Sequence, residues 1–281
     1  MAALTSYRYL RIGMVGAVVL LFVSILIERA EVDCFQTSIS AYYYTPVRSI
    51  FVGALMAIGL ALIVILGRTP AIDLCLNFAG MLAPIVAVVP TVNVGACWSI
   101  EPEPRPVDDA GELAPWVVAN VDNNMLALLI TGVGGLVVAA LIAVIAWRRR
   151  GATGPPPIHW GLLVTFVALA AVWWAFVNLD DFETRAHGAA AVLLFVFLVA
   201  AVILNGVHLF RSDGPRGFAV AYLTIGAAMI IAAIVIWGTD WEHEVLVLEA
   251  IEIALFGVFW IVQTAELWTE RAEVRQPSPR P

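Results

Sequence analysis

The sequence predicts an all-α fold: a polytopic membrane bundle of eight transmembrane helices with both termini in the cytoplasm. Three observations carry that prediction. The 281 residues are 62% hydrophobic and only 13% charged, where a soluble domain carries about 25% charged residues. Eight segments stay apolar for about 20 residues, enough to cross a hydrocarbon core of about 30 Å at a rise of about 1.5 Å per residue. The fifteen basic residues are all arginine, and they divide unevenly between the two ends of those segments.

The segments are 12–27, 47–66, 72–92, 124–147, 158–177, 187–210, 217–237 and 245–264, within one membrane domain over residues 1–268. None alternates as the strands of a membrane barrel do, and a helix satisfies its own backbone in lipid. The first has the basic flank "SYRYLR" of a secretion signal. No small-residue cleavage site follows in "IERAEVDC", so it reads as a retained span. The second opens after "SISAYYYTP", where Thr45 suits a helix cap and Pro46 the first turn. Its Gly53, Ala57 and Ala61 recur every four residues, a spacing that lets another helix approach; "TGVGG" in the fourth span and "HGAAA" in the sixth read the same way. The third carries Asp73, Asn77, Gly80, Pro84 and Thr91 on one face.

Residues 97–123 form an acidic, proline-rich outer loop, with a short interfacial helix expected at "LAPWVVANV". After the fourth span, "RRRGATGPPP" is a cytoplasmic linker whose prolines stop the helix. The fifth and seventh spans are nearly featureless. The sixth places His187 and Asn205 five turns apart on one face, and the eighth aligns Glu249, Glu252, Phe256, Phe259, Gln263 and Glu266 at steps of three or four. The polar tail 269–281 is expected to be disordered.

Orientation follows from the arginines. With the N-terminus inside, only Arg29, Arg48, Arg105 and Arg185 lie outside, and the other eleven lie inside, as the positive-inside rule requires. Cys34 and Cys97 then share the outer face. A disulfide between them suits an oxidising compartment; two unpaired thiols are the alternative. Cys75 reads as a small apolar filler. Fifteen of the 22 acidic residues also fall outside. Such a field attracts cations and disfavours nucleic acid. The loop 97–123 offers a surface to a protein partner that the sequence does not identify.

Ionisable side chains in lipid are costly and usually face a cavity or the bundle interior. Thr91, His187, Glu249 and Glu252 lie in the outer half of their spans. Arg48 sits just inside the second helix, placed to pair with Glu249 or Glu252, and Ser38, Ser40, Tyr42, Tyr43 and Tyr44 would form a rim. These residues together suggest an outward-facing polar pocket for a ligand. The plainer alternative is an Arg–Glu pair locking two helices beneath interfacial tyrosines. No cofactor is expected. His187 and Glu249 are weak candidates for a divalent metal, without an HExxH or paired-cysteine spacing to support them.

The stretches "SISAYYYTPVRSIFVGALMAIG", "NFAGMLAPIVAVVPT", "RAHGAAAVLLF" and "LEAIEIALFGVFWIV" resemble an uncharacterised bacterial multi-pass family with a SISAYYxTxxR opener. The likeness covers about residues 10–95 and 185–265; the fourth and fifth spans and the acidic loop stand as an insertion. It marks Ser38, Ser40, Tyr42, Tyr43, Arg48, Thr91, His187 and Glu249, and implies residence in a bacterial cytoplasmic membrane but no activity. A remoter similarity is to transmembrane hydrolases of the alkaline ceramidase and adiponectin-receptor type. Their HxxxH is missing here, and the last span offers Glu249 and Glu252 instead. Three functions follow as expectations. The first is non-catalytic binding of a membrane lipid or amphiphile, or an accessory role. The second is proton- or cation-coupled transport. The third is metal-dependent hydrolysis.

Overall fold

The computed structural model describes residues 2–275, apart from 93, 94, 96, 103, 109–111, 150–159 and 213; at 2–6 and 269–275 it describes the backbone only. Eight α-helices account for most of these residues: α1 (Ala2–Val32), α2 (Arg48–Val64), α3 (Pro70–Val88), α4 (Pro115–Arg149), α5 (Trp160–Asn178), α6 (Phe182–Arg211), α7 (Arg216–Ile236) and α8 (Glu244–Arg275). A short 3-10 turn, Ser40–Tyr44, precedes α2. The only extended pairing among the described residues is a bridge between Val107 and Leu113.

Seven of these helices are long and apolar enough to cross a membrane. The exception is α2, at 17 residues. It is about 26 Å long, short of the segment 47–66 expected from the sequence. Both its ends are bounded by local hydrogen bonds. Thr45 does not cap the helix; its hydroxyl accepts from Val47 N at 3.2 Å, two residues earlier than a helix cap would sit. At the other end Gly67 N donates to Asp73 Oδ1 at 2.9 Å, and a Cβ on Gly67 would fall 2.3 Å from Asp73 N. Asp73 therefore closes the α2–α3 turn, and its other oxygen accepts from Asn77 Nδ2 at 3.2 Å. Thr69 caps α3 through Ile72 N.

Six helices close a ring. α1 packs on α2, α2 on α3, α3 on α6, α6 on α7, α7 on α8, and α8 returns to α1. The hairpin α4–α5 leans on the outside of this ring through α3. Only Val117, Val121, Met125 and Leu129 of α4 are buried, and nothing on α5 is. The helices set apart by sequence as an insertion are thus peripheral to the ring.

Three expectations change. The short interfacial helix and the fourth span are one helix of 35 residues, because no proline or glycine stands between Pro115, which suits a first turn, and the start of the span at Asn124. Residues 269–275, assigned by sequence to a disordered tail, continue α8. The helix formers there are uninterrupted until Pro277, and 276–281 lie outside the described residues. The close helix contact is not the Gly53 face, where a Cβ would meet nothing within 4 Å. It is Gly59 against Gly80: a Cβ on Gly59 would lie 2.8 Å from the Gly80 carbonyl oxygen, and one on Gly80 2.7 Å from that of Gly59. Apolar surface gains nothing from leaving lipid for another helix, so such backbone approach is what holds α2 to α3. Gly80→Ala is expected to lower the thermal transition of the detergent-solubilised protein by several degrees, through overpacking of about 1–3 kcal/mol. Gly53→Ala should leave it unchanged. Equal transitions in both variants would show that the crossing yields without cost.

At the end of the ring where α1 finishes, Cys34 is bridged to Cys97 by a disulfide, with Cα atoms 5.9 Å apart; Cys75 is a free thiol. The chain at Cys97–Ser99 is fastened again by Gln36 Nε2 donating to the Cys97 carbonyl oxygen and by Ser99, whose N and Oγ donate to Glu28 Oε1 at 3.1 and 2.8 Å. Glu28, one of the outer acids, is therefore buried and satisfied rather than part of a solvated field.

Candidate functional site

Ser38 to Thr45 are all buried. They form a plug at the end of the ring where α1 finishes and α2 begins, rather than a polar rim, because the polar side chains answer to partners inside the protein. Ser38 Oγ accepts from Ala41 N at 3.0 Å. Tyr42 Oη accepts from Gln36 N at 3.4 Å, and Tyr44 Oη donates to the Thr91 carbonyl oxygen at 3.0 Å. Thr45 Oγ1 donates to the Tyr42 carbonyl oxygen at 2.9 Å. Burial pushes the Tyr42 and Tyr44 phenols up from their ordinary values, so both remain neutral.

The plug is held to α8 by Glu249. One carboxylate oxygen accepts from Ile39 N at 2.6 Å and Ser40 N at 3.4 Å, and the other from Ser40 Oγ at 3.1 Å. A carboxylate at the start of a helical turn takes N–H groups that have no partner within the turn. Arg48 does not pair with Glu249. It turns outward, donating from Nη2 to Tyr43 Oη at 2.7 Å and lying 4.3 Å from the Tyr43 ring centre. The spacing to α8 left that choice open, and the ring beside Arg48 on its own strand of chain won it.

Beneath the plug runs an apolar cavity of about 70 Å³, several times the space one water needs. Its walls come from α1 (Val18, Leu21), α2 (Phe51 to Leu62), α3 (Ala83, Val86), α6 (Ala191 to Leu198) and α8 (Ile253, Phe256). Ser40 and Glu249 are its only polar lining residues, both at one end. From Phe51 to Leu62 the wall is about 16 Å long. A space so lined stays dry, and at about 70 Å³ it has room for a short apolar segment.

The polar face read along α8 divides in the fold. Glu249 and Phe256 line the cavity, whereas Phe259, Gln263 and Glu266 are buried against neighbouring helices. Glu252 is 4% exposed, lines no part of the cavity, and its Oε2 has no partner. His187 is buried, and its Nδ1–H donates to the Val89 carbonyl oxygen at 2.6 Å. That carbonyl ends α3, so the histidine ties α6 to α3 and is not a wall of the cavity. Thr91 contributes its carbonyl to Tyr44. The fold thus joins Ser38, Ser40, Tyr42, Tyr43, Arg48, Thr91 and Glu249 through one plug, and sets His187 and Glu252 apart from it. Among the described residues no three His, Cys, Asp or Glu side chains converge as metal ligands would. Ser40 has a carboxylate but no histidine beside it.

What the sequence did not single out are the apolar walls, Phe51, Leu55, Phe195 and Ile253, and the backbone N–H groups of Ile39 and Ser40. Cavity-facing and core-facing apolar residues carry no distinguishing sequence signal. No protein-family model, curated protein or solved structure matches the chain.

Proposed function

We propose that this is an integral membrane protein that binds a membrane amphiphile without chemical conversion, its apolar chain in the cavity and its polar end at Ser40 and Glu249. One observation carries the reading: an apolar cavity whose polar lining, among the described residues, is Ser40 and Glu249 together. In this reading α2 is the eighth span, both termini are cytoplasmic as the arginines argue, and the cavity end at Ser40 faces outward. The resemblance of the SISAYY opener to a bacterial multi-pass family makes a bacterial cytoplasmic membrane the proposed setting, with membrane lipids as the partners. Glu249 accepts three hydrogen bonds and offers its remaining lone pairs, so it favours a polar end that donates protons or carries positive charge.

The test is occupancy. The protein purified in non-ionic detergent is expected to retain about one acyl lipid per chain, identified by mass spectrometry of the solvent extract. Ala191→Phe, which fills the cavity wall with a ring, should lose it without unfolding. Equal lipid in the folded variant would refute the reading. A second reading, proton- or cation-coupled transport, draws on the partnerless Glu252 carboxylate in α8, since lone intramembrane acids mark ion pathways. Proton uptake by vesicles reconstituted with the protein, abolished in Glu252→Gln, would favour it.

A further inference from the structure

The other end of the ring holds a second polar cluster. Glu266 lies about 25 Å along α8 from Glu249 and is fully buried. Its Oε1 accepts from Arg68 Nη1 at 2.7 Å and its Oε2 from Tyr222 Oη at 2.6 Å. Arg11, on α1, stands in the field of Arg68, Tyr222, Glu266 and Tyr7, yet neither oxygen of Glu266 bonds it. It is 7% exposed, and its Nε and Nη1 are sealed from solvent with no acceptor. Its guanidinium lies 5.7 Å from the ring centre of Trp260. Trp260 is itself fully buried, and its indole N–H also has no acceptor.

Buried donors without acceptors each cost about 1–3 kcal/mol, more when the group is charged. A guanidinium keeps its charge at neutral pH even when buried, so Arg11 does not escape by losing a proton there. Guanidinium and indole are donors only; what they lack is an acceptor rich in lone pairs and negatively charged. The first apolar segment begins at residue 12, so Arg11 stands at its edge, at the depth where lipid phosphates reach. One turn earlier, Arg8 bonds the Leu267 carbonyl oxygen at 2.9 Å and lies 4.2 Å from the Trp268 ring centre, which keeps a second cation at the same mouth.

We propose that Arg11, with the Trp260 indole N–H beside it, is a binding site for a phosphate oxyanion, carried by an anionic lipid headgroup or arriving as free phosphate. The site is separate from the cavity at Ser40 and does not depend on what that cavity holds. The bound oxygens supply the acceptors that the guanidinium and indole lack, and the negative charge offsets Arg11.

The experiment uses the full chain in dodecylmaltoside micelles doped with dioleoylphosphatidylglycerol or with dioleoylglycerol, which has the same chains and no phosphate. Native mass spectrometry reads lipid retention. Wild type is expected to retain the phosphatidylglycerol selectively. Arg11→Gln should lower its retention about tenfold, and Trp260→Phe, which removes the indole N–H at unchanged charge, several-fold. A parallel arm measures the thermal transition in inorganic phosphate against chloride at matched ionic strength. A shift present in wild type and absent in Trp260→Phe assigns the site to free phosphate; selectivity in the lipid arm alone assigns it to a headgroup. No selectivity for phosphate in either arm, or equal retention and equal shifts in wild type and Trp260→Phe, overturns the proposal even where Arg11→Gln fails to fold.

Discussion

Glu266→Leu is expected to destabilise the protein by about 3 kcal/mol, the low end of the cost of removing one partner from a buried ion pair, because the Arg68 side chain keeps 21% of its surface exposed. The carboxylate is fully buried, and it holds Arg68 from the α2–α3 turn and Tyr222 from α7 at once. Leucine would take the acceptor from the buried Tyr222 phenol and one ion-pair partner from Arg68, beside an Arg11 whose buried Nε and Nη1 lack acceptors. Tyr222→Phe provides the calibration, because it deletes one hydrogen bond of about 1 kcal/mol and no charge. Thermal unfolding of the two variants in detergent, followed by helical circular dichroism, should rank Glu266→Leu far below Tyr222→Phe, with wild type highest. Comparable transitions for all three would mean that water or lipid headgroups serve Arg68 as well as Glu266 does.

Glu249→Leu is expected to release the plug. Two backbone N–H groups and one hydroxyl would lose their acceptor, at about 1–3 kcal/mol for each group left buried. The effect should be local, because the disulfide at Cys34 and the Tyr44 bond to Thr91 still tether the segment on either side. Hydrogen exchange at residues 38–45 should rise by one to two orders of magnitude while the ring helices keep their protection. Glu249→Gln, which keeps one acceptor oxygen, should fall between. Adding Arg48→Leu should rescue nothing, since Arg48 is held by Tyr43. Rescue by that second change would show that Arg48 and Glu249 pair after all, and protection unchanged in Glu249→Leu would show that the plug stands without α8.

The two variants probe opposite ends of one helix, and their residues were legible to different degrees. Both acids stood out in the sequence because charge in an apolar run is costly, whatever surrounds it. The partners did not stand out. Glu249 is satisfied by backbone N–H groups some 210 residues away in sequence, and a backbone N–H is the same at every position. Glu266 is satisfied by Arg68, which reads in sequence as an ordinary inside-loop arginine. Thr45 and Pro46 spelled a helix start correctly in kind and two residues early in place, because the serine and tyrosine bonds of the plug shape that turn before the helix takes over. Gly53, Ala57 and Ala61 had the spacing of a helix contact, but the contact went to Gly59 and Gly80, which face each other only once α2 and α3 are antiparallel neighbours.

The sequence by itself determined that the protein is a helical membrane bundle, where most of its helices run, and that a few acids and a polar opener interrupt the apolar runs. Each of those follows from local physics: the length of an apolar run against the thickness of the bilayer, and the cost of a charge in lipid. Only the tertiary structure decided that six helices close a ring with α4 and α5 outside it, that the opener is a buried plug rather than an open rim, and that an apolar cavity lies beneath it. Those depend on which faces meet. In lipid, where apolar surface is indifferent to its neighbour, that choice falls to backbone approach at glycines and to hydrogen bonds between residues far apart in the chain.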